Sequence, residues 1–287
     1  MKKIQLTCAH AIVKYLISQK ILVDGKKLPL FAGAFGIFGH GNVACLGQAL
    51  EENKKELPTW RGHHEQNMAL TGIAFSRAKR RKQIFVATSS VGPGSTNMLT
   101  AAAVAMSNRL PMLFLPGDTY ANRMPDPVLQ QVEHFNNPNI TQNDAFKYVT
   151  RYFDRITRPE QILQTFPQAI QTMIDPADCG PACISLSQDV QGETFDYPEE
   201  FFNEKIHTIR RPRPDDYQIK QAADLIKKSK NPIIISGGGI FYSDAMKELS
   251  QFAKKHNIPT AQTVMGYSTM KKDDPVSYTH LRAHETG

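Results

Sequence analysis

The sequence predicts an α/β fold, a doubly wound parallel sheet with helices on both faces. Three observations carry that expectation. Short apolar or β-rich runs (Leu28 to Ala34, Gln83 to Thr88, Pro111 to Pro116, Pro181 to Ser187) alternate with helical patterns. A strand covered on both faces shows no polar side, so it reads as a continuous run rather than an alternating one. A glycine-rich turn, Ser90-Val91-Gly92-Pro93-Gly94-Ser95, stands between one such run and the next helix. The period is then lost from Asp189 to Pro214, a stretch rich in Pro, Glu, Asp and Arg, before the βα pattern resumes.

Each element has its own signal. Met1-Lys2-Lys3 imitates the start of a signal peptide, but Gln5, Thr7, His10 and Lys14 break any apolar segment behind it. Thr7 reads as the N-cap of a helix that buries Ile12, Val13, Leu16 and Ile17, with His10 a packing or surface residue. A second helix is expected over Asn42 to Glu52. Glu65 to Lys82 carries Met68, Ala69, Gly72, Ile73 and Phe75 at helical spacing. Ser95 to Asn108 is an alanine-rich helix. Pro159 opens a helix with Ile162, Leu163, Phe166, Ala169, Ile170 and Met173 on one face. These elements are expected to form one domain over residues 1–190, with an interdomain linker over 191–214.

A second α/β unit is expected over 215–275. It comprises a helix from Tyr217 to Lys228, a strand from Pro232 to Ser236, a glycine turn at Gly237 to Gly239, a helix from Ser243 to Lys255 and a strand from Ile258 to Thr263. Sheets usually have ~5 strands, so this unit is read as incomplete. The glycine turn lacks the third spaced glycine of a dinucleotide fingerprint. Residues 276–287 show no period and are read as a foreign tail, so His280 and His284 receive no role.

Composition narrows the function classes. The net charge is +7, from 34 Lys and Arg against 27 Asp and Glu. The basic residues lie in small groups at the ends of expected helices, where they complement the dipole. No aromatic-interleaved basic stripe occurs, so nucleic-acid binding is not expected. No apolar run reaches the ~18 residues of a membrane span. The chain is read as cytoplasmic, with its four cysteines reduced. Cys179 and Cys183 stand four apart without further soft ligands in sequence, so they are read as packing residues and no metal site is assigned.

Glu65 is the first candidate for chemistry. It opens a helix whose face holds Met68 and Ala69, so its carboxylate is expected in water-poor surroundings. A Glu held so can carry a proton to a heteroaromatic nitrogen. By residue type alone, a helix-dipole carboxylate is the simpler reading. The glycine turn shifts the balance, because two glycines let a ring approach the backbone, and Ser95 or Thr96 can cap the following helix.

Together, His64-Glu65-Gln66 and Thr88-Ser-Ser-Val-Gly-Pro-Gly-Ser-Thr-Asn97 resemble the thiamine diphosphate enzymes related to acetolactate synthase. The resemblance runs over about residues 1–275. Three segments, 35–43 (Phe-Gly-Ile-Phe-Gly-His-Gly-Asn-Val), 116–121 and 125–133, together with 178–193, are similar to the inositol-catabolism branch. The resemblance implies a pyrimidine-binding domain followed by a truncated Rossmann-like central domain. It implies Glu65 as the cofactor-activating acid, with Gly92, Pro93, Gly94 and Asn97 beside the pyrimidine. The implied reaction is hydrolytic carbon–carbon cleavage of a polyhydroxylated cyclic 1,2-dione, in a homodimer or larger homo-oligomer.

Two departures stand out. His63 and His64 occupy positions where the family often has Arg. The Gly-Asp-Gly segment and following Asn that hold Mg2+ and the diphosphate are not found, and Gly117-Asp118-Thr119 is not that motif. The chain is therefore expected to be an N-terminal fragment, inactive alone. His40, Asp126, Gln130 and Gln131 are candidates for substrate contact, or else turn and capping residues of their loops. A carboligase or decarboxylase would use the same Glu and glycine turn. A non-catalytic cofactor-half fragment and a nucleotide-binding module on Gly237 to Gly239 also remain open.

Overall fold

A computed structural model describes residues 2–125 and 127–278. The chain divides into two units, 1–210 and 211–287.

The first unit is organised around a six-stranded parallel sheet. The chain enters through β1 (Lys3–Thr7), α1 (Cys8–Ser18), β2 (Gln19–Val23) and β3 (Lys26–Pro29). Thr7 caps α1 as expected, its hydroxyl accepting from the His10 N–H at 3.2 Å. Ile12, Val13 and Leu16 are buried on that helix, and Ile17 is half-buried. The sheet proper comprises β4 (Phe31–Gly36), β5 (Thr59–Arg61), β6 (Ile84–Ser89), β7 (Leu113–Asp118), β8 (Tyr152–Ile156) and β9 (Ala182–Ser187), in the order β5-β4-β6-β7-β9-β8. Every residue of β6, β7 and β9 is buried, which is why these strands read as unbroken apolar or small-residue runs.

The connecting helices are α2 (Gln48–Glu52), α3 (Glu65–Ala78), α4 (Pro93–Thr96), α5 (Leu99–Ser107) and α6 (Ile162–Met173). Ile162, Phe166, Ala169, Ile170 and Met173 of α6 face the core, with Leu163 packed at its margin. From β4 the chain crosses outward to β5 and then returns to β6 on the other side of β4. That reversal opens a crevice beyond the carboxyl ends of β4 and β6, the usual ligand position in open α/β sheets.

Two sequence expectations differ from the structure of this unit. The Leu28-to-Ala34 run is two strands, because Asp24 and Gly25 (φ +51° and +76°) turn β2 back onto β3 before β4 begins. The expected linker is part of the first unit. There β10 (Thr194–Pro198) pairs antiparallel with β1, and β11 (Lys205–His207) pairs parallel with β2. The cause is an aromatic set among the acids. Tyr197 is 0% exposed, donates to the Pro159 carbonyl at 3.1 Å and packs edge-on against Phe195 and Phe202. The short edge strands β5 and β8 lacked a signal because neither is buried throughout.

The second unit holds α7 (Asp216–Lys228), β12 (Ile234–Ser236), α8 (Gly238–Tyr242), α9 (Met246–His256) and β13 (Thr260–Gln262). β12 and β13 pair in parallel. The start of the expected foreign tail is packed into this unit. Val276 is buried with Leu249, Ala253 and Met270; its carbonyl accepts from the Thr260 N–H at 2.8 Å, and the Tyr278 N–H donates to the Thr260 carbonyl at 3.0 Å. His280 and His284 lie outside the described residues. Among the described residues, no helix is long and apolar enough to cross a membrane.

Two outcomes test the integration of residues 194–207. Tyr197→Ala should cost roughly 3–5 kcal/mol in denaturant unfolding, the scale of an emptied aromatic core site; a linker residue would change stability by less than ~0.5 kcal/mol. His207 is buried on β11, with its Nε2 2.9 Å from Gln19 Oε1. Burial, assisted by the Lys205 charge, pushes its pKa down to about 4. The unfolded ring titrates near ~6.5, so between the two values the unfolded chain binds more protons. Unfolding free energy should therefore fall as pH drops from about 6.5 towards 4, and His207→Gln should remove that part of the slope.

Candidate functional site

The crevice is built from the loops that follow β4 and β6. Asn42 is 2% exposed and ties them together. Its side-chain oxygen accepts from the Gly39 N–H at 3.0 Å, while its nitrogen donates to Thr88 Oγ1 at 3.0 Å and to the Ile37 carbonyl at 3.2 Å. The Gly39-His40-Gly41 backbone is thus pinned over the end of β6.

After β6 the chain turns at Gly92, with φ +68° and ψ −124°, a conformation open in practice only to glycine. Pro93 occupies the first turn of α4, where its missing N–H costs nothing. Ser95 is fully buried and donates to Asn143 Oδ1.

Glu65 stands at the first position of α3 and faces this turn. Its Oε2 accepts from Asn97 Nδ2 at 2.7 Å. Its Oε1 would lie 3.4 Å from a Cβ placed on Gly94, with Ser89 and Ser90 on the flanks. The missing side chain at Gly94 therefore leaves a small cradle beside one carboxylate oxygen, while Asn97 holds the other. His64 also approaches this group, its Nε2 3.4 Å from Asn97 Nδ2.

The expectation of a water-poor Glu65 is not met in this chain, where the residue is half-buried. Met68 and Ala69 are buried one turn deeper, but the first turn of α3 rises to the open end of the sheet.

Gly92 faces away from Glu65. A Cβ there would come 1.7 Å from the Gln130 carbonyl, so the glycine makes room for the 128–132 segment. His40 meets the same segment, with Nε2 2.6 Å from the Leu129 carbonyl; a carbonyl only accepts, so Nε2 carries the proton. Gln130 is exposed. Gln131 is 2% exposed, with its amide nitrogen 3.4 Å from Gln188 Oε1. Gln131 also lines a cavity of about 140 Å³ with Thr119, Tyr120, Arg123, Glu133 and His134. Asp126 lies outside the described residues.

Behind the crevice is a polar network that sequence reasoning missed. Asp118 is fully buried and pairs with Arg155 Nε at 2.7 Å, and Ser185 donates to it as well. Arg155 continues to Thr141 Oγ1 at 2.8 Å, and Asn143 donates to the Gly117 carbonyl at 2.9 Å and to Ser185 Oγ at 2.7 Å. Asp118 thus serves the β7–β9–β8 end of the sheet. A signal for the missed segment was present: Thr141 and Asp144 form a reciprocal capping box that begins the turn Gln142–Tyr148.

Cys179 and Cys183 are buried; burial pushes the Cys179 thiol up to about 12 and raises the Cys183 thiol well above its ordinary value. No group of three or more His, Cys, Asp or Glu suited to a metal occurs among the described residues.

Residues 31–138 match the N-terminal TPP binding domain of thiamine pyrophosphate enzymes, and residues 219–287 match the central domain. The chain belongs to the thiamine pyrophosphate enzymes. It is 49% identical over 271 residues to a 3D-(3,5/4)-trihydroxycyclohexane-1,2-dione hydrolase of Clostridium tetani, covering 94% of this chain and 42% of the relative. Hydrolases of the same name from Geobacillus thermodenitrificans and Listeria monocytogenes are 48% and 49% identical, over 96% and 95% of this chain and 43% of each relative. The chain thus spans less than half the length of these relatives. The central-domain match extends through the stretch that the sequence reading assigned to a foreign tail.

The Gly92 geometry gives a direct test. Gly92→Ala should destabilise the first unit by about 2 kcal/mol or more, through both the backbone conformation and the clash with the Gln130 carbonyl. Gly94→Ala, which meets only ordinary contacts, should cost less in thermal or denaturant unfolding.

Proposed function

We propose that this chain supplies the pyrimidine-holding half of a thiamine diphosphate-dependent enzyme. Its reaction would be hydrolysis of a carbon–carbon bond in 3D-trihydroxycyclohexane-1,2-dione, opening the ring to 5-deoxyglucuronate. The observation that supports it is the Glu65–Gly94–Asn97 arrangement within a chain nearly half identical to hydrolases of that name.

The residues present fit the cofactor. The Gly94 cradle lies against Glu65 Oε1, the atom that Asn97 leaves free. When bound, thiamine diphosphate supplies the electron sink that a bond cleavage beside a carbonyl requires. Glu65 would hold and move a proton at Oε1, the carboxylate oxygen that faces the Gly94 cradle. Asn97 fixes the carboxylate rotamer. Ser89 and Ser90 flank the cradle, and Gly92 admits the 128–132 segment.

Gln130 and Gln131 are the substrate contacts in this reading, and His40 serves them indirectly, by holding the Leu129 carbonyl. We assign Mg2+ and the diphosphate to a Gly-Asp-Gly segment elsewhere in the longer protein, and no Mg2+ ligand to this chain. The half-buried state of Glu65 supports a homo-oligomer in which a second copy covers the crevice.

In the full-length protein, Glu65→Gln should leave the thermal transition in place and lower kcat on the cyclic dione by at least ~100-fold, the span of a positioned acid. Turnover retained within tenfold of wild type would defeat the mechanism. Turnover of pyruvate in place of the dione would instead assign the chain to the carboligase or decarboxylase reading.

A further inference from the structure

The segment 128–132 is held in an unusual way. Two of its three apolar side chains do not anchor it: Leu129 is 76% exposed and Val132 50%, while Val128 is half-buried. Its backbone is also unfavourable, since Gln130 and Val132 sit at φ +64° and +53° without being glycine. Such conformations persist only where surrounding structure imposes them.

Two side chains from neighbouring loops hold its carbonyls. His40, on the loop after β4, donates from Nε2 to the Leu129 carbonyl at 2.6 Å. Gln142, on the 142–148 turn, is 9% exposed. With its amide oriented by its neighbours, its nitrogen donates to the Gln131 carbonyl at 2.8 Å and its oxygen accepts from the Gly92 N–H at 3.1 Å. One amide therefore spans the glycine turn and the segment. The missing Cβ of Gly92 lets the Gln130 carbonyl close between them.

We propose that His40 and Gln142 are positioning residues, a two-point latch that fixes residues 129–131 across the Gly92 turn. Gln130, which is exposed, would then be set for hydrogen bonds to the hydroxyls of a polyhydroxylated ring, with Gln131 at the wall of the adjoining cavity. The latch couples the turn beside the cofactor cradle to the segment that reads the substrate. Its claim on the substrate rests on the dione reading above; its claim on the segment does not.

Hydrogen exchange and kinetics on the full-length protein test both parts. In His40→Ala and Gln142→Ala, amides of 128–132 should exchange about tenfold faster, the effect of one lost hydrogen bond. Protection in β6 and β7 should stay unchanged, which shows that the variants are folded. The KM for the dione should rise by a similar factor, while thiamine diphosphate affinity stays within about twofold. His40→Gln, which keeps a donor, should restore most of the protection and the KM. Unchanged exchange at 128–132 in both alanine variants would overturn the latch, and faster exchange with an unaltered KM would overturn its claim on the substrate. Wild-type protein that does not turn over the dione would defeat the functional reading, while the exchange data would still decide the latch.

Discussion

The crevice depends on one backbone constraint, the positive φ that Gly92 adopts as β6 gives way to α4. That single dihedral sends the chain back over the end of the sheet. It puts Pro93 where a helix can begin and brings Gly94 against Glu65. It also leaves a gap on the far side that the Gln130 carbonyl fills. Any side chain at position 92 would have to displace both the turn and the segment behind it.

A constraint at one residue holds only if the surrounding structure resists it. Here the resistance comes from groups that are buried and mutually satisfied. Asn42 pins the loop after β4 to Thr88, Ser95 and Asn143 join α4 to the 141–148 turn, and Asp118 with Arg155 closes the far end of β7. Buried charges and amides left unpaired would be costly, so each partner penalises displacement of the others. The turn therefore sits on a framework that cannot relax piecemeal.

The crevice combines that fixed floor with an open roof. Glu65 is held by Asn97 and by its place at the start of α3, yet it remains half-buried in the single chain. The relatives are more than twice as long as the matched region. Orientation of the acid and shape of the cradle belong to this chain. Cover for the crevice and a grip on the diphosphate are assigned, in the functional reading, to the rest of the longer protein and to a second copy.

Much of this architecture was legible from residue order. Strands buried on both faces announced themselves as apolar runs, Thr7 announced a helix start, and the glycine turn stood out because few local structures need two glycines there; Glu65, common at a helix start, stood out only beside that turn. Strands at the sheet edge and in the 194–207 stretch were not legible, because half-exposed strands mix polar and apolar residues and their pairing partners lie far away in the chain. Nor could residue order show that Gly92 and Gly94, two positions apart, face different neighbours. The chain by itself determined the α/β class, the acid and the turn, since local propensity and burial period are written in short windows. Only the tertiary structure decided what each group faces, because hydrogen bonds such as those of Asn97, His40 and Gln142 form between segments that only folding brings together.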